Sequence, residues 1–96
     1  MLISNMQSSR GNAVANQFVI TDGNKVSFQS YASLIATVDH TAKTIELGED
    51  WHYSKTTDKY RNYFFDGLGF KCLNTTAGMF KAIKAGNYNG YTIKEV

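Results

Sequence analysis

Three side chains in this sequence are of the types that bind metal ions or act as nucleophiles and bases: His40, His52 and Cys72. A zinc site needs three or four clustered ligands, and a cysteine nucleophile needs a base within hydrogen-bond reach and a group that orients this base. The three residues are scattered along the chain, so Asp39 and Asp50 would have to complete any metal set. We therefore expect no catalytic residues, no metal and no cofactor, and we interpret Cys72 as a small core residue.

A second kind of chemistry is nucleic-acid binding, because basic and aromatic residues alternate between positions 55 and 63. Phosphates pair with basic side chains, and bases stack on aromatic rings. The contacts of such a module would be Lys55, Lys59, Arg61, Lys81 and Lys84. At helical spacing, however, the inward stripe of this segment consists of Tyr60, Tyr63, Phe64 and Leu68. The core therefore takes most of the tyrosines, and nucleic-acid binding is the alternative function rather than the leading one.

A third possibility is a surface that binds another protein. The acidic pair Glu49-Asp50 precedes Trp51, while Arg61 and Phe65 fall at the edge of the helical stripe or outside it. Aromatic residues and arginine are enriched at the energetic centres of interfaces. We therefore expect these five residues to form a protein contact, with Trp51 half-buried. Two structural alternatives stay open: Trp51 plugs a corner between sheet and helix, and Phe65 packs under the loop 67–70.

Strands are predicted in the first half of the chain. Residues 17–31 read as a β-hairpin around Asp22-Gly23, since glycine accepts the positive φ of a tight turn. Residues 37–39 and 44–47 read as a second strand pair, whereas 32–39 as a whole fits either a strand or a short helix. The sixteen N-terminal residues are rich in Ser, Asn, Gln and Gly, and their composition favours a tail.

Helices are predicted in the second half of the chain. Ser54 or Thr56 caps a first helix that the glycines at 67 and 69 end, and a second helix spans 75–85. The apolar stripe of the second helix is Met79, Phe80 and Ile83. A closing strand covers 91–96, after the turn at Asn89-Gly90. Strands followed by helices predict an α+β fold: a small antiparallel sheet of two hairpins plus a C-terminal strand, with two short helices on one face.

Size and composition limit the classes of function. The chain has 96 residues, 43% hydrophobic and 19% charged, which predicts one folded domain over 1–96. The net charge of +2 argues against a DNA mimic and a general nucleic-acid binder. No apolar stretch reaches the roughly 18 residues of a membrane span, and the N-terminus lacks a signal-peptide pattern. We expect a cytoplasmic protein without membrane contact, and a homodimer is possible.

Several strings are more specific than any general motif. They are SSRGN at 8–12, NQF at 16–18, FQSY at 28–31, and the pattern W-x-YS-x-TT-x-KYR at 51–61. Together they resemble a family of small phage- and prophage-borne proteins of unknown function, over most of residues 7–65. The resemblance implies that residues 9–12 are an ordered part of the domain. An ordered Arg10 would be clamped by backbone carbonyls or a carboxylate.

The resemblance also implies a function class. Small phage proteins without catalytic residues often bind host machinery, so we expect an inhibitor or modulator of a host defence complex, anti-CRISPR-like or directed at another defence. It would act by stoichiometric protein–protein contact in the host cytoplasm. The partner would be a host protein or ribonucleoprotein complex. This expectation rests on analogy between classes of protein and not on a site.

Overall fold

The strands of this protein form one sheet in the computed structural model, which describes all residues 1–96. The elements in chain order are β1 (Leu2–Gln7), β2 (Ala13–Asp22), β3 (Lys25–Ser30), β4 (Ser33–Asp39), β5 (Thr44–Leu47), α1 (Lys55–Gly67), α2 (Thr76–Ala85), β6 (Asn87–Tyr88) and β7 (Tyr91–Glu95). In space the seven strands follow the order β1-β2-β3-β4-β5-β7-β6. Neither helix is long and apolar enough to cross a membrane.

The mixed α and β composition and both helices are confirmed, but the sheet is larger than predicted and not purely antiparallel. Strands β1 to β5 form an antiparallel meander, and β6 pairs antiparallel with β7. β5 and β7, however, run parallel, with Ile45 opposite Ile93. The reason is the connection, because the chain passes through both helices between these strands and such a crossover permits parallel pairing.

The N-terminal segment is a strand and not a tail. β1 pairs with β2 from Leu2 opposite Thr21 to Asn5 opposite Phe18. At the tip of this hairpin, the Ser8 hydroxyl accepts hydrogen bonds of 3.3 Å from the backbone N–H groups of residues 10 and 12. Residues 9–12 are thus ordered, but Arg10 is exposed. The predicted clamp around Arg10 is wrong, because the tip extends beyond the core.

A β-bulge in β4 shapes the end of the sheet that meets α1. Gln29 pairs with Leu34 and Phe28 with Ala36, which leaves Ile35 as the extra residue. Ile35 and Ala36 are consequently both buried, although they are neighbours in a strand. The backbone N–H of Gly48 donates to the Ile35 carbonyl at 2.8 Å, and a Cβ at position 48 would collide with the Leu34 carbonyl oxygen. This close approach fixes the start of the loop between β5 and α1.

Helix α1 begins at the predicted cap, but a different face is buried. The Ser54 hydroxyl accepts from the N–H of Thr57 at 3.2 Å. The buried residues of the helix are Thr57, Tyr60, Arg61, Phe64 and Phe65. At 100° per residue, these five centre roughly 70° from Tyr60, so Tyr63 is 41% exposed instead of inward. The inward positions of Tyr60 and Phe64 are confirmed, but the predicted stripe includes Tyr63 and leaves Arg61 and Phe65 at its edge or outside it.

Helix α2 begins one residue after the predicted start, and its N-cap is Thr75, whose hydroxyl accepts from the N–H of Gly78 at 3.0 Å. Met79 is fully buried and Ile83 is partly buried, as predicted, but Phe80 is 49% exposed. The ring of Phe80 contacts the rings of Trp51 and His52 in edge-to-face geometry, at centroid distances of 5.0 and 5.3 Å.

Candidate binding groove

Arg61, predicted as a contact residue, has no exposed surface. Its Nη1 donates to the carbonyl oxygen of Trp51 at 2.7 Å and to Oδ1 of Asp58 at 2.8 Å, while Nη2 donates to the Thr76 hydroxyl at 2.7 Å. Burial lowers the pKa of the Arg61 guanidinium, and the Asp58 carboxylate opposes this. The expectation that Arg61 points outward is wrong, because the loop before α1 and the start of α2 both supply acceptors to it.

Trp51 and Phe65 are also interior. Trp51 is 5% exposed, and its Nε1 donates to Oε2 of Glu95 at 2.8 Å. The Arg61 guanidinium lies 5.1 Å from the Trp51 ring, so the indole plugs the corner between sheet and helices. Phe65 is completely buried against Phe64 and Phe70, at ring distances of 5.1 and 6.3 Å. Trp51 therefore plugs the corner and Phe65 packs against the loop 67–70, as the two structural alternatives predict. The expected exposure of both side chains is wrong.

The remaining ionisable candidates lie apart from one another. His40 bonds the Tyr91 hydroxyl at 2.7 Å, and His52 bonds Oδ1 of Asp58 at 2.9 Å. Cys72 is exposed, so its interpretation as a core residue is wrong: it follows the exposed Lys71 in a turn, and the buried residue there is Leu73. Across the chain, no three histidine, cysteine or acidic side chains come close enough to hold a metal ion.

The lysines of the nucleic-acid alternative are all exposed: Lys55, Lys59, Lys81 and Lys84. The Lys59 ammonium lies 5.3 Å from the Tyr60 ring and 6.0 Å from the Tyr63 ring. The second half of the chain, residues 52–96, holds seven basic and three acidic residues. One of its other lysines, Lys71, pairs with Asp66 at 2.9 Å.

The largest cavity lies where the β3–β4 turn meets the loop before α1. It has a volume of about 540 Å³. We call it the tyrosine groove, and its lining residues are Ser30, Tyr31, Ala32, Ser33, Ile35, Asp50, Tyr53, Ser54, Thr56 and Thr57. Hydroxyl-bearing side chains dominate this lining, and Asp50 is the one charged residue in it. The groove therefore offers hydrogen-bond donors and acceptors around a single carboxylate.

Tyr31 is held on one rim of the groove in an unusual backbone conformation. It occupies a two-residue turn between the paired residues Ser30 and Ser33, with φ at 54°. Its N–H donates to the Asn16 carbonyl at 2.7 Å, and its carbonyl accepts from Nε2 of Gln29 at 2.8 Å. A positive φ is disfavoured for residues with a Cβ. These bonds maintain the conformation, and the ring is left 63% exposed.

Tyr53 and Asp50 are presented by the loop between β5 and α1. Tyr53 is 77% exposed on the other rim. Oδ2 of Asp50 accepts a hydrogen bond from the Ser33 hydroxyl at 2.9 Å, which joins this loop to the β3–β4 turn. Glu49, the residue before Asp50, is exposed. Two exposed aromatic rings and one carboxylate in the same lining attract cationic groups.

The groove contains one of the predicted contact residues and two that sequence reasoning missed. Asp50 is the predicted contact residue that lines the groove, and Glu49 is its neighbour in the chain. Tyr31 was assigned to the end of a strand, although its place between Ser30 and Ser33 is compatible with a hairpin turn. Tyr53 enters the sequence reading only as a position of the string at 51–61. Nothing in the local sequence distinguishes the buried indole from the exposed phenol two residues later.

Comparison with known proteins assigns the chain to a family. A model described as "Family of unknown function (DUF8033)" matches residues 1–81. The chain belongs to DUF8033. The part that matches DUF8033 includes the whole tyrosine groove and α1, and it ends within α2. No curated protein and no solved structure matches the chain significantly. The resemblance to a family of unknown function is therefore confirmed, while phage origin stays a prediction.

Proposed function

We propose that this protein binds a protein partner through the tyrosine groove and so inhibits or modulates a host defence complex. It would be encoded by a phage or prophage and act stoichiometrically in the host cytoplasm. The observation that carries the binding part is that two exposed rings, Tyr31 and Tyr53, line one cavity together with the carboxylate of Asp50. The defence target and the phage origin are supported by the family resemblance of the sequence strings.

The chemistry of the groove favours a cationic, extended segment of the partner. A lysine or arginine side chain would lie between the tyrosine rings, where cation–π attraction contributes about 0.5–1 kcal/mol at exposed sites. Its charge would pair with Asp50, and the surrounding hydroxyls would bond the backbone of the segment. Tyrosine and serine make up most contact surfaces of antibodies for similar reasons, since they combine large area with adaptable hydrogen bonding.

The proposal revises the set of contact residues. Asp50 stays in it because it lines the groove, and Glu49 stays because it is the exposed residue directly before Asp50. Trp51, Arg61 and Phe65 are buried and do not line the groove, and the hydrogen bonds of Arg61 hold the loop at Trp51 against α1 and α2. Substitutions of these three would disturb the fold rather than remove a contact, so they are poor tests of binding.

Affinity capture from nuclease-treated host-cell extract tests the proposal. Wild-type protein is compared with Tyr53→Ala and Asp50→Asn, and Tyr63→Ala is the matched control because Tyr63 is an exposed tyrosine away from the groove. We expect one protein or complex to be retained by wild type and Tyr63→Ala and reduced at least tenfold by both groove variants. Equal retention by all four proteins would overturn the assignment of the groove.

The defence part of the proposal needs a separate measurement. Expression of the protein in a host with an active defence system should raise the plating efficiency of a sensitive phage, and Tyr53→Ala should not. If the purified protein instead converted a nucleotide or nucleic acid with multiple turnovers, the stoichiometric mode of action would be wrong.

A nucleic-acid-binding module is the second candidate, and one observation favours it. Lys59 lies beside Tyr63, which is half-exposed and free to stack on a base. The exposed contacts would be Lys55, Lys59, Lys81 and Lys84, without the buried Arg61. Gel-shift experiments at about 50 mM salt should then show binding that weakens steeply as salt increases. Lys59→Gln should weaken it, and no shift with DNA or RNA would eliminate this candidate.

A further inference from the structure

The strand β1 forms one edge of the sheet, and its ladder with β2 is regular from Leu2 to Asn5 and irregular only between Asn5 and Gln7. Its six residues, LISNMQ, include no charge and no proline. Exposed edges present unpaired backbone N–H and C=O groups, and proteins commonly block them with lysine, proline or very short strands. The opposite edge follows that rule, since β6 has only two residues. β1 is therefore suited to pair with another strand.

The side chains of β1 leave apolar surface on both faces. Leu2 is 70% exposed and Ile3 is 57% exposed, and successive residues of a strand point to opposite faces. Leu2 is on the face that carries the helices, as is the buried Met6. Met6 lines an apolar cavity of about 280 Å³, together with Val19 of β2 and Leu68 after α1. The helices thus leave a partly filled apolar groove beside the unprotected edge.

We propose that two copies of this chain pair through β1, antiparallel, about a two-fold axis at Ser4. Residues directly opposite in an antiparallel ladder point to the same face. When two copies of one strand pair about a two-fold axis perpendicular to the sheet, the axis must therefore pass between the two copies of a single residue. An axis at Ser4 places Leu2 of each copy opposite Met6 of the other, beside the apolar cavity. An axis at Ile3 pairs only three residues, and one at Asn5 places Ile3 opposite Gln7.

A second copy fits this edge for a further reason. β1 carries no charge, so two copies meet without repulsion, and their sheets join into one that ends only in the short β6 strands. Pairing also removes Leu2 and Ile3 from water on opposite faces. This inference rests on β1 alone and is independent of the tyrosine groove, which is formed by other segments.

Sedimentation of the intact protein tests the pairing. We expect wild type to sediment at twice the monomer mass of 10.7 kDa and Leu2→Lys to sediment as a folded monomer. Leu34→Lys, a lysine at another exposed leucine outside β1, should stay dimeric. Circular dichroism checks that the variants fold. A monomeric wild type at all concentrations, or a dimer unaffected by Leu2→Lys, would overturn the proposal.

Crosslinking tests the register. In a Cys72→Ser background, Ser4→Cys should form a covalent dimer under mild oxidation, because the axis brings the two copies of position 4 together. Asn5→Cys is the matched control and should crosslink much less, since position 5 faces position 3 of the other copy. Preferential crosslinking at position 5 would contradict the axis at Ser4, and crosslinking at neither would contradict pairing through β1.

Discussion

The guanidinium of Arg61 donates a 2.7 Å hydrogen bond to the main-chain carbonyl of Trp51 in the loop before α1. That loop begins at the β-bulge contact of Gly48 and continues to Tyr53, which forms a rim of the tyrosine groove. The fully buried cation therefore positions a binding surface that it does not touch itself. Its other partners, Asp58 and Thr76, join the same loop to both helices.

Replacement of Arg61 should be strongly destabilising, even by lysine. The planar guanidinium of Arg61 donates hydrogen bonds to Trp51, Asp58 and Thr76 together, and a lysine ammonium cannot reproduce this geometry. The substitution removes hydrogen bonds from a charged donor and leaves their acceptors without a partner. We therefore expect Arg61→Lys to lower the free energy of unfolding by about 3 kcal/mol. Urea denaturation measures this. Lys59→Met, on the exposed side of the same helix, should change stability by no more than about 0.5 kcal/mol. Equal effects would contradict the central position of Arg61.

Gly78 should not tolerate alanine, although it lies in helix α2. Helix propensity alone favours alanine over glycine by about 1 kcal/mol. A Cβ at position 78, however, would lie well inside van der Waals distance of the Cys72 carbonyl oxygen. We expect Gly78→Ala to lower the melting temperature, whereas propensity predicts an increase. Ala77→Gly, at an exposed neighbouring position, reports the propensity effect alone. A stabilised Gly78→Ala would show that the turn at Cys72 does not pack on α2.

Tyr31→Gly should separate binding from stability. Glycine adopts the φ of 54° without the penalty of a Cβ, and this offsets the greater freedom of glycine in the unfolded chain. We expect a free energy of unfolding within about 1 kcal/mol of wild type, together with loss of partner retention. Thermal melts of Tyr31→Gly and Tyr31→Ala make the comparison, and alanine should be the less stable of the two. The reverse order would contradict the strained turn.

Asp39 should make stability depend on pH in the acid range. Its Oδ1 accepts hydrogen bonds of 2.9 Å from the N–H groups of Ala42 and Thr41. These bonds, the one from Ala42 first, lower the pKa of Asp39 below its ordinary value of 3.8. The stabilisation is therefore present above that value and is lost as pH falls through the lowered pKa of the folded state.

The matched variant for this effect is Asp39→Asn, which keeps the shape and removes the charge. Thermal melts between pH 7 and pH 2 should show the variant less stable than wild type near neutrality. The gap should close below the ordinary pKa of the carboxyl. A gap that stays constant across this range would mean that the charge of Asp39 does not stabilise the β4–β5 turn.

Much of the secondary structure could be predicted because local signals mark it. Asp22-Gly23 and Asn89-Gly90 mark turns, Ser54 and Thr75 mark helix starts, and Gly86 ends α2 with a φ of 80°. β1 was missed because the apolar and polar residues of LISNMQ do not alternate regularly. The parallel pairing of β5 with β7 was missed because it depends on where the two helices pack, which no local pattern records.

The candidate site was predicted less well, for a different physical reason. Asp50 and Glu49 were found because an acidic pair in a loop is exposed in most folds. Arg61 was placed outward by its charge, but its burial depends on acceptors such as Trp51 and Thr76 that are distant in sequence. Tyr31 was overlooked because its exposure follows from the turn and not from its residue type.

Hydrogen exchange of the protein in complex with its captured partner is the most direct test of the binding account. The account predicts that amides of residues 30–33 and 50–57 exchange more slowly in the complex, whereas those on the outer face of α2, around Lys81, are unchanged. Protection confined to the outer faces of the helices, with residues 30–33 and 50–57 exchanging as in the free protein, would contradict the tyrosine groove as the binding site.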